Sequence, residues 1–337
     1  MTFATYLHPQ IFSTIKPLPE IKFSGYSLPH YNQVRQALVE ALPNYPQLPL
    51  YKAHSRDYFR VHSRIYLQKL AAQALGKTLD NQAKKLPQCS RECQGLEYSL
   101  PGYLYGLGGM ITAINAMRQG ELERAYCFSM VGHHAHQTWG HGYCLLNPLA
   151  AAVRYAQTQG FHKVLIIDWD IHHGDGTQSI FSGDRSVYCV SIHNAVDIYM
   201  AKASSLQVGT TTVAEVVGHC NIPIIPDNFP VEVLAEEGIT GDFYYGKESL
   251  TRFNQALENL PWQPNLITIF SGYDSHREDC GEATTNWTNN DFCQLTEMIV
   301  ELARKYNCPI LSTHGGGYNL PITVSAAIAH INTLATA

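Results

Sequence analysis

Five residues within eight positions of the stretch VLIIDWDIHHGDGTQ, Val164 to Gln178, can ligate a metal or move a proton: Asp168, Asp170, His172, His173 and Asp175. Solubility does not explain such crowding in a chain with only 15% charged residues. Asp168, Asp170 and His172 share parity, so strand geometry carried past Asp168 turns their side chains to one side and those of Trp169 and Ile171 to the other. Asp170 and His172 can then hold one divalent metal. A third acid must come from another strand end, and Asp274 is the candidate. Two carboxylates and one imidazole suit a catalytic zinc, whose three protein ligands leave a position open for water and substrate; ferrous iron accepts the same set.

The tandem His133-His134 reads differently, because adjacent residues in extended chain diverge and the metal already has three partners. These two are proton-transfer groups: a neutral imidazole is a good general base, and a carboxylate on its far nitrogen fixes the tautomer and raises its basicity. Asp168 and Asp175 supply one such acid for each histidine. Tyr318 follows three glycines, which let backbone approach a ligand closely, and its hydroxyl can donate to an oxygen that becomes negative in a tetrahedral intermediate.

Positioning these groups requires elements whose ends converge. Helical spacing spans Gln33 to Leu42, Ile111 to Met117, Pro148 to Gln157, Leu250 to Leu257 and Phe292 to Lys305. Between them lie short apolar runs, Ala125 to Val131, Val164 to Trp169, Val187 to Ile192, Leu266 to Phe270 and Pro309 to Ser312. This alternation predicts an α/β protein with a buried, mostly parallel sheet and helices on both faces. Ligands in such sheets sit beyond the carboxyl ends of the strands. Four of the runs are followed there by chemistry: G-H-H-A, then Asp170 to His173, then S-G-Y-D, then T-H-G-G-G-Y-N.

The 337 residues contain no linker that forces a second domain, so a single catalytic domain over 1–337 is expected. A net charge of -5 makes no general claim on nucleic acid or anionic membrane. Nine scattered cysteines do not form a disulfide framework in a chain this long and point to a reducing, cytoplasmic setting. The start, MTFATYLHPQ, lacks the pattern of a signal peptide, and no run reaches the length of a membrane span.

The segments G-H-H-A (Gly132 to Ala135), G-Y-C-L-L-N (Gly142 to Asn147), D-W-D-I-H-H-G-D-G-T-Q (Asp168 to Gln178), S-I-H (Ser191 to His193), S-G-Y-D (Ser271 to Asp274) and G-G-G-Y-N (Gly315 to Asn319) stand in this order. Together they closely resemble the zinc-dependent histone deacetylase and acetylpolyamine amidohydrolase superfamily, bacterial-type histone deacetylase-like amidohydrolases included, from about Val61 to the C-terminus. The resemblance implies an arginase-like three-layer αβα sandwich with a mostly parallel, roughly eight-stranded sheet. It implies Asp170, His172 and Asp274 as zinc ligands, His134 as general base and acid, His133 as its electrostatic partner, and Tyr318 as carbonyl polariser. It places Asp168 beside His133 and Asp175 beside His134. It further implies a structural potassium ion held by the main chain of Asp168, Asp170 and His172 with the Ser191 hydroxyl and the Ile192 carbonyl, and a second monovalent cation at Phe181, Asp184 and Val187. The substrate tunnel would be lined by Gly142, Tyr143, Met200, Gly281, Glu282 and Gly316.

Two departures concern the substrate. The family's Pro-Gly-Thr-Gly segment after S-I-H is replaced by NAVDIYMAKASSLQVGTTTV, where Met200 or Tyr199 would stand as the tunnel wall opposite Tyr143. After S-G-Y-D the usual Asp-Pro-Leu-Gly is Asp279-Cys280-Gly281-Glu282, which removes an apolar rim residue and sets an acid nearby. The expected reaction is removal of an acetyl or other acyl group from the amine of acetyl-lysine in a protein or peptide, with acetylated polyamines or other small amides as the alternative. An arginase-like ureohydrolase would need a D-A-H-x-D pattern, which is missing, and a non-catalytic binder of acetylated ligands would be expected to have lost Tyr318 or a histidine. Cys89 and Cys93, in CSREC, lack the second pair that a structural zinc requires, and Cys144 is read as packing. Oligomeric state is left open.

Overall fold

The computed structural model describes residues 2–17, 27–77, 93–195, 218–225, 232, 243–281 and 284–337. In chain order its regular elements are β1 (Phe3–Tyr6), α1 (Ser27–Ala41), α2 (Arg64–Ala74), α3 (Leu100–Arg118), β2 (Arg124–Cys127), α4 (Pro148–Thr158), β3 (Val164–Asp168), α5 (Asp175–Phe181), β4 (Val187–Asn194), β5 (His219–Ile225), β6 (Tyr244–Tyr245), α6 (Gly246–Glu258), β7 (Leu266–Ser271), α7 (Asn289–Tyr306), β8 (Ile310–His314) and α8 (Leu320–Thr336). The strands form one 8-stranded sheet in the order β1-β2-β8-β7-β3-β4-β5-β6. Every pairing is parallel.

The central strands are apolar throughout because helices cover the sheet. All five residues of β3 and all six of β7 are buried. Register places Asp168 between Ser191 and Phe270, so β3, β4 and β7 end side by side. Ser271 pairs with His314, which brings the loop after β8 to the same edge. The chemistry-bearing loops therefore leave the sheet from neighbouring strand ends.

Boundaries differ from the sequence reading in ways that matter for the site. The run Ala125 to Val131 leaves the ladder after Cys127, and the following residues carry His133 and His134 out over the strand ends. α3 begins eleven residues before Ile111 because Gly102, Gly106, Gly108 and Gly109 mask its helical pattern. Those glycines are there for close approach: a Cβ on Gly108 would lie 2.0 Å from the Tyr51 carbonyl oxygen, and one on Gly109 would lie 2.3 Å from the Tyr6 ring. β1, β5, β6, α2, α5 and α8 were not anticipated. β5 contains Pro223 and a histidine, which dilute its strand signal, and β6 is only two residues long.

No disulfide joins the described cysteines, and Cys144 is buried as packing would have it. Cys89 lies outside the described residues, so its pairing with Cys93 is not placed. Among the described residues no helix is long and apolar enough to cross a membrane.

Candidate active site

Past Asp168 the regular strand ends, and side chains add to the few main-chain bonds that remain. Asp168 Oδ1 accepts the Asp170 N–H at 3.1 Å, and Asp170 Oδ1 accepts the His172 N–H at 3.1 Å. Two successive carboxylate-to-i+2 bonds brace the DWDIH segment, alongside the Trp169 N–H donating to the Phe270 carbonyl of β7 at 3.3 Å and the Ile171 carbonyl accepting the Asn194 N–H of β4 at 2.7 Å. Trp169 turns the other way and meets His330 of α8 edge-on at 5.2 Å.

Asp170, His172 and Asp274 converge. His172 Nδ1 lies 3.2 Å from Asp170 Oδ1 and 3.1 Å from Asp274 Oδ2. The remaining carboxylate oxygens are anchored by main chain, with the Gly316 N–H donating to Asp170 Oδ2 at 2.6 Å and the Ile171 N–H to Asp274 Oδ1 at 3.0 Å. Both aspartates are buried, and among the described residues no lysine or arginine pairs with either. Burial, joined by the charge of Asp170, pushes the Asp274 carboxyl up to about 7. Burial acts the same way on Asp170, but His133 and His172 outweigh it and hold that carboxyl below its usual range. Two buried acids around a single imidazole are the donor set that a divalent cation balances. A Cβ on Gly316 would sit 2.3 Å from Asp274 Oδ2 and 2.8 Å from Asp170 Oδ2. Gly316, expected as a tunnel residue, lies against both acids.

His133 and His134 stand beside this group with ring centroids 4.0 Å apart. His133 Nδ1 is 3.0 Å from Asp168 Oδ2, and its ring stacks on Phe270 at 4.3 Å. His134 Nδ1 is 2.8 Å from Asp175 Oδ1. The two acids differ in state. Burial and the Asp170 charge raise Asp168 well above its ordinary value, whereas burial at Asp175 is overcome by hydrogen bonds from His134, His136 and His141, which hold it well below. Desolvation, with help from His133, lowers His134 to about 3. Its imidazole is therefore neutral at pH 7, and burial outweighs the gain in basicity expected from a carboxylate partner.

Tyr318 is half-buried and meets the His172 ring edge-on at 6.1 Å. Among the described residues its hydroxyl has no hydrogen-bond partner, while its main chain is held firmly. Asp279 Oδ1 accepts the N–H groups of Tyr318 at 2.9 Å and Asn319 at 2.7 Å. His30 Nε2, on α1, is 2.8 Å from the Gly317 carbonyl oxygen, so both sides of the Gly317–Tyr318 peptide are gripped. Gly281 packs under the tyrosine: a Cβ there would come within 2.7 Å of Tyr318 Cδ2. Gly142 and Tyr143 both adopt left-handed backbone, φ 54 and 60, and a Cβ on Gly142 would lie 2.4 Å from His134 Cδ2. Left-handed tyrosine costs on the order of 1 kcal/mol or more, which the surrounding loop must offset. Met200, Tyr199 and Glu282 lie outside the described residues.

At the expected cation positions, Ser191 Oγ is 2.8 Å from His193 Nδ1. The Asp184 and Val187 carbonyl oxygens lie 3.3 and 3.2 Å from the Cβ position of Gly218, so the two converge, and the Phe181 carbonyl accepts the Asp184 N–H at 3.0 Å. The structure adds residues that the sequence reading missed. Asp175 Oδ2 takes His136 Nε2 at 2.9 Å and His141 Nε2 at 2.8 Å, and His30 and Asp279 clamp the tyrosine loop. Four histidines in the nine residues 133–141 were a visible signal for the first of these. His30, 287 residues from its partner, had none.

A parallel α/β sheet with a buried Asp-His-Asp group and carboxylate-paired histidines at its carboxyl edge defines the class. Comparison with known proteins agrees: the histone deacetylase domain profile matches residues 29–334, and the chain belongs to the histone deacetylase family. A probable deacetylase of Archaeoglobus fulgidus is 31% identical over 237 residues, covering 67% of this chain and 60% of that protein. The mouse polyamine deacetylase HDAC10 is 30% identical over 206 residues, covering 60% of this chain and 28% of that protein. The curated relatives run longer, and this chain spans 13% and 60% of two of them. The crystal structure of the HDA15 HD domain shares the fold, with a TM-score of 0.71 at 20% identity over 99% of this chain and 89% of that one.

Proposed function

We propose that the chain hydrolyses the amide of an acylated amine, removing acetyl from acetyl-lysine in a protein or peptide, with Asp170, His172 and Asp274 as the ligands of one catalytic zinc. The observation that carries this reading is the meeting of that buried donor set with a neutral His134 whose Nδ1 is tied to an ionised Asp175. A zinc ion held there would supply Lewis acidity toward the acyl oxygen and lower the pKa of the attacking water.

The protein's own groups do the rest. With Nδ1–H bonded to Asp175, His134 presents the Nε2 lone pair, which takes a proton from the attacking water and passes it to the departing amine. His133, paired with Asp168, adjusts the field at that imidazole. The Tyr318 hydroxyl donates to the oxygen that becomes negative, and its clamped main chain keeps it in place. Acetate and free amine leave.

Acetylated polyamines are the second reading, favoured by the name of the mouse relative. Potassium at the Asp168–His172 turn with Ser191 and Ile192, a second monovalent cation at Phe181, Asp184 and Val187, and a cytoplasmic setting complete the proposal. Purified protein assayed side by side on an acetyl-lysine peptide and on acetylspermidine, with zinc measured per chain, tests it. Hydrolysis dependent on one zinc is expected; metal-loaded protein inert on both substrates would refute it.

A further inference from the structure

Asp175 opens α5 with its side chain fully buried, yet three imidazoles from one loop point at its carboxylate. His134 Nδ1 takes Oδ1, and His136 Nε2 and His141 Nε2 share Oδ2. Trp139, in the same loop, lies nearly parallel to both outer imidazoles, 4.6 Å from each at 10° and 18°. It is half-buried, while His136 and His141 beneath it are buried.

His134, His141 and Asp175 also bring three ligand atoms close enough together to suggest a metal group, and the distances decide against it. Ligand atoms about 2.0 to 2.1 Å from a tetrahedral zinc lie roughly 3.3 Å apart, which the 3.1 and 3.2 Å around His172 approach. The 2.8 and 2.9 Å around Asp175 match N–H to carboxylate bonds. A metal-bound imidazole almost always donates its other nitrogen to a partner, and among the described residues buried His141 Nδ1 has none.

We propose that His136 and His141 are positioning residues for His134. By filling Oδ2 they keep Asp175 ionised and stop it rotating, so Oδ1 remains the acceptor for the His134 Nδ1–H and the Nε2 lone pair faces the reaction. A buried carboxylate left with one donor could take a proton or turn over, and either change releases the tautomer of His134. Trp139 packs over the pair and limits the access of competing water. The inference rests on the general-base reading of His134.

Ring-labelled histidine in the full chain gives the test, through nitrogen–proton NMR of His134 together with steady-state kinetics. Wild type should show the Nδ1–H tautomer. In the His136→Phe/His141→Phe double variant, which keeps rings against Trp139 but removes both donors, the tautomers should mix, and kcat should fall about tenfold or more with KM within about twofold. His136→Gln and His141→Gln, whose amide N–H reaches the same oxygen, should each stay within about threefold of wild type. If the double variant does not fold, His141→Phe alone carries both readouts. Retention of the Nδ1–H tautomer in the Phe variants, or equal loss in the Gln and Phe variants, would overturn the proposal. Wild type inactive on every acylated amine would defeat the functional reading alone, because the tautomer spectrum needs no substrate.

Discussion

Replacing Asp175 by Asn sets two demands on one side chain against each other. The carboxylate accepts one N–H on Oδ1, at 2.8 Å, and two on Oδ2, at 2.9 and 2.8 Å. Asparagine offers one oxygen and one NH2. Turning the oxygen toward His136 and His141 keeps two bonds and gives up one, whereas the opposite orientation gives up two. Each bond to the neutral amide oxygen is worth about 0.5 to 1.5 kcal/mol, so the first orientation wins by roughly that amount. The amide NH2 then faces His134 Nδ1, which must become an acceptor, and the proton moves to Nε2, where the base is needed. Stability should drop by only about 1 to 3 kcal/mol, because two bonds survive and the third inverts. Turnover should fall by about 10³- to 10⁴-fold, the scale of a catalytic histidine forced into the wrong tautomer. Urea unfolding, zinc content and kcat/KM on one preparation separate these effects. A kcat within tenfold of wild type, with the fold and zinc intact, would refute the reasoning.

Asp274→Ala should abolish stoichiometric zinc and activity while leaving the sheet folded by circular dichroism; full zinc occupancy would remove Asp274 from the ligand set. Tyr318→Phe keeps the ring against Gly281 and removes one hydroxyl, so kcat should fall about 10²- to 10³-fold with little change in KM, and a near-normal kcat would move the oxyanion role elsewhere. His62, His134, His219, His314 and His330 are held neutral by burial at about 3 to 4, so each takes up a proton on unfolding below about pH 6.5. Folded values depressed below the unfolded one mean that stability is full above about pH 6.5 and declines toward pH 4, by up to about 1.4 kcal/mol per pH unit for each histidine; a flat melting temperature over that window would contradict this. Glu282→Leu should lower kcat/KM for acetylspermidine relative to an acetyl-lysine peptide by roughly 2- to 30-fold if that acid pairs with a second ammonium of the substrate, and equal effects on both substrates would refute that pairing.

The sequence alone displayed the candidate ligands. Strands of a parallel sheet are apolar until they end, so acids and imidazoles directly after Asp168, Phe270 and Ser312 had to gather at one edge. The parity of Asp170 and His172, the tandem histidines and the tyrosine after three glycines were all legible for that reason. Which acid serves which histidine was legible only through the family resemblance, because bonds between loops depend on how those loops settle. Three contacts were decided by tertiary structure: the His136 and His141 bonds to Asp175, the Asp279 bonds to the tyrosine loop, and the reach of His30 from α1 to Gly317. α3 likewise hid behind its glycines, which weaken a helix in isolation and become necessary only once Tyr6 and Tyr51 press against it. Period and strand ends are local properties that a chain displays in order. Hydrogen bonds that span tens to hundreds of residues exist only after packing has excluded water and left each buried donor a single acceptor within reach.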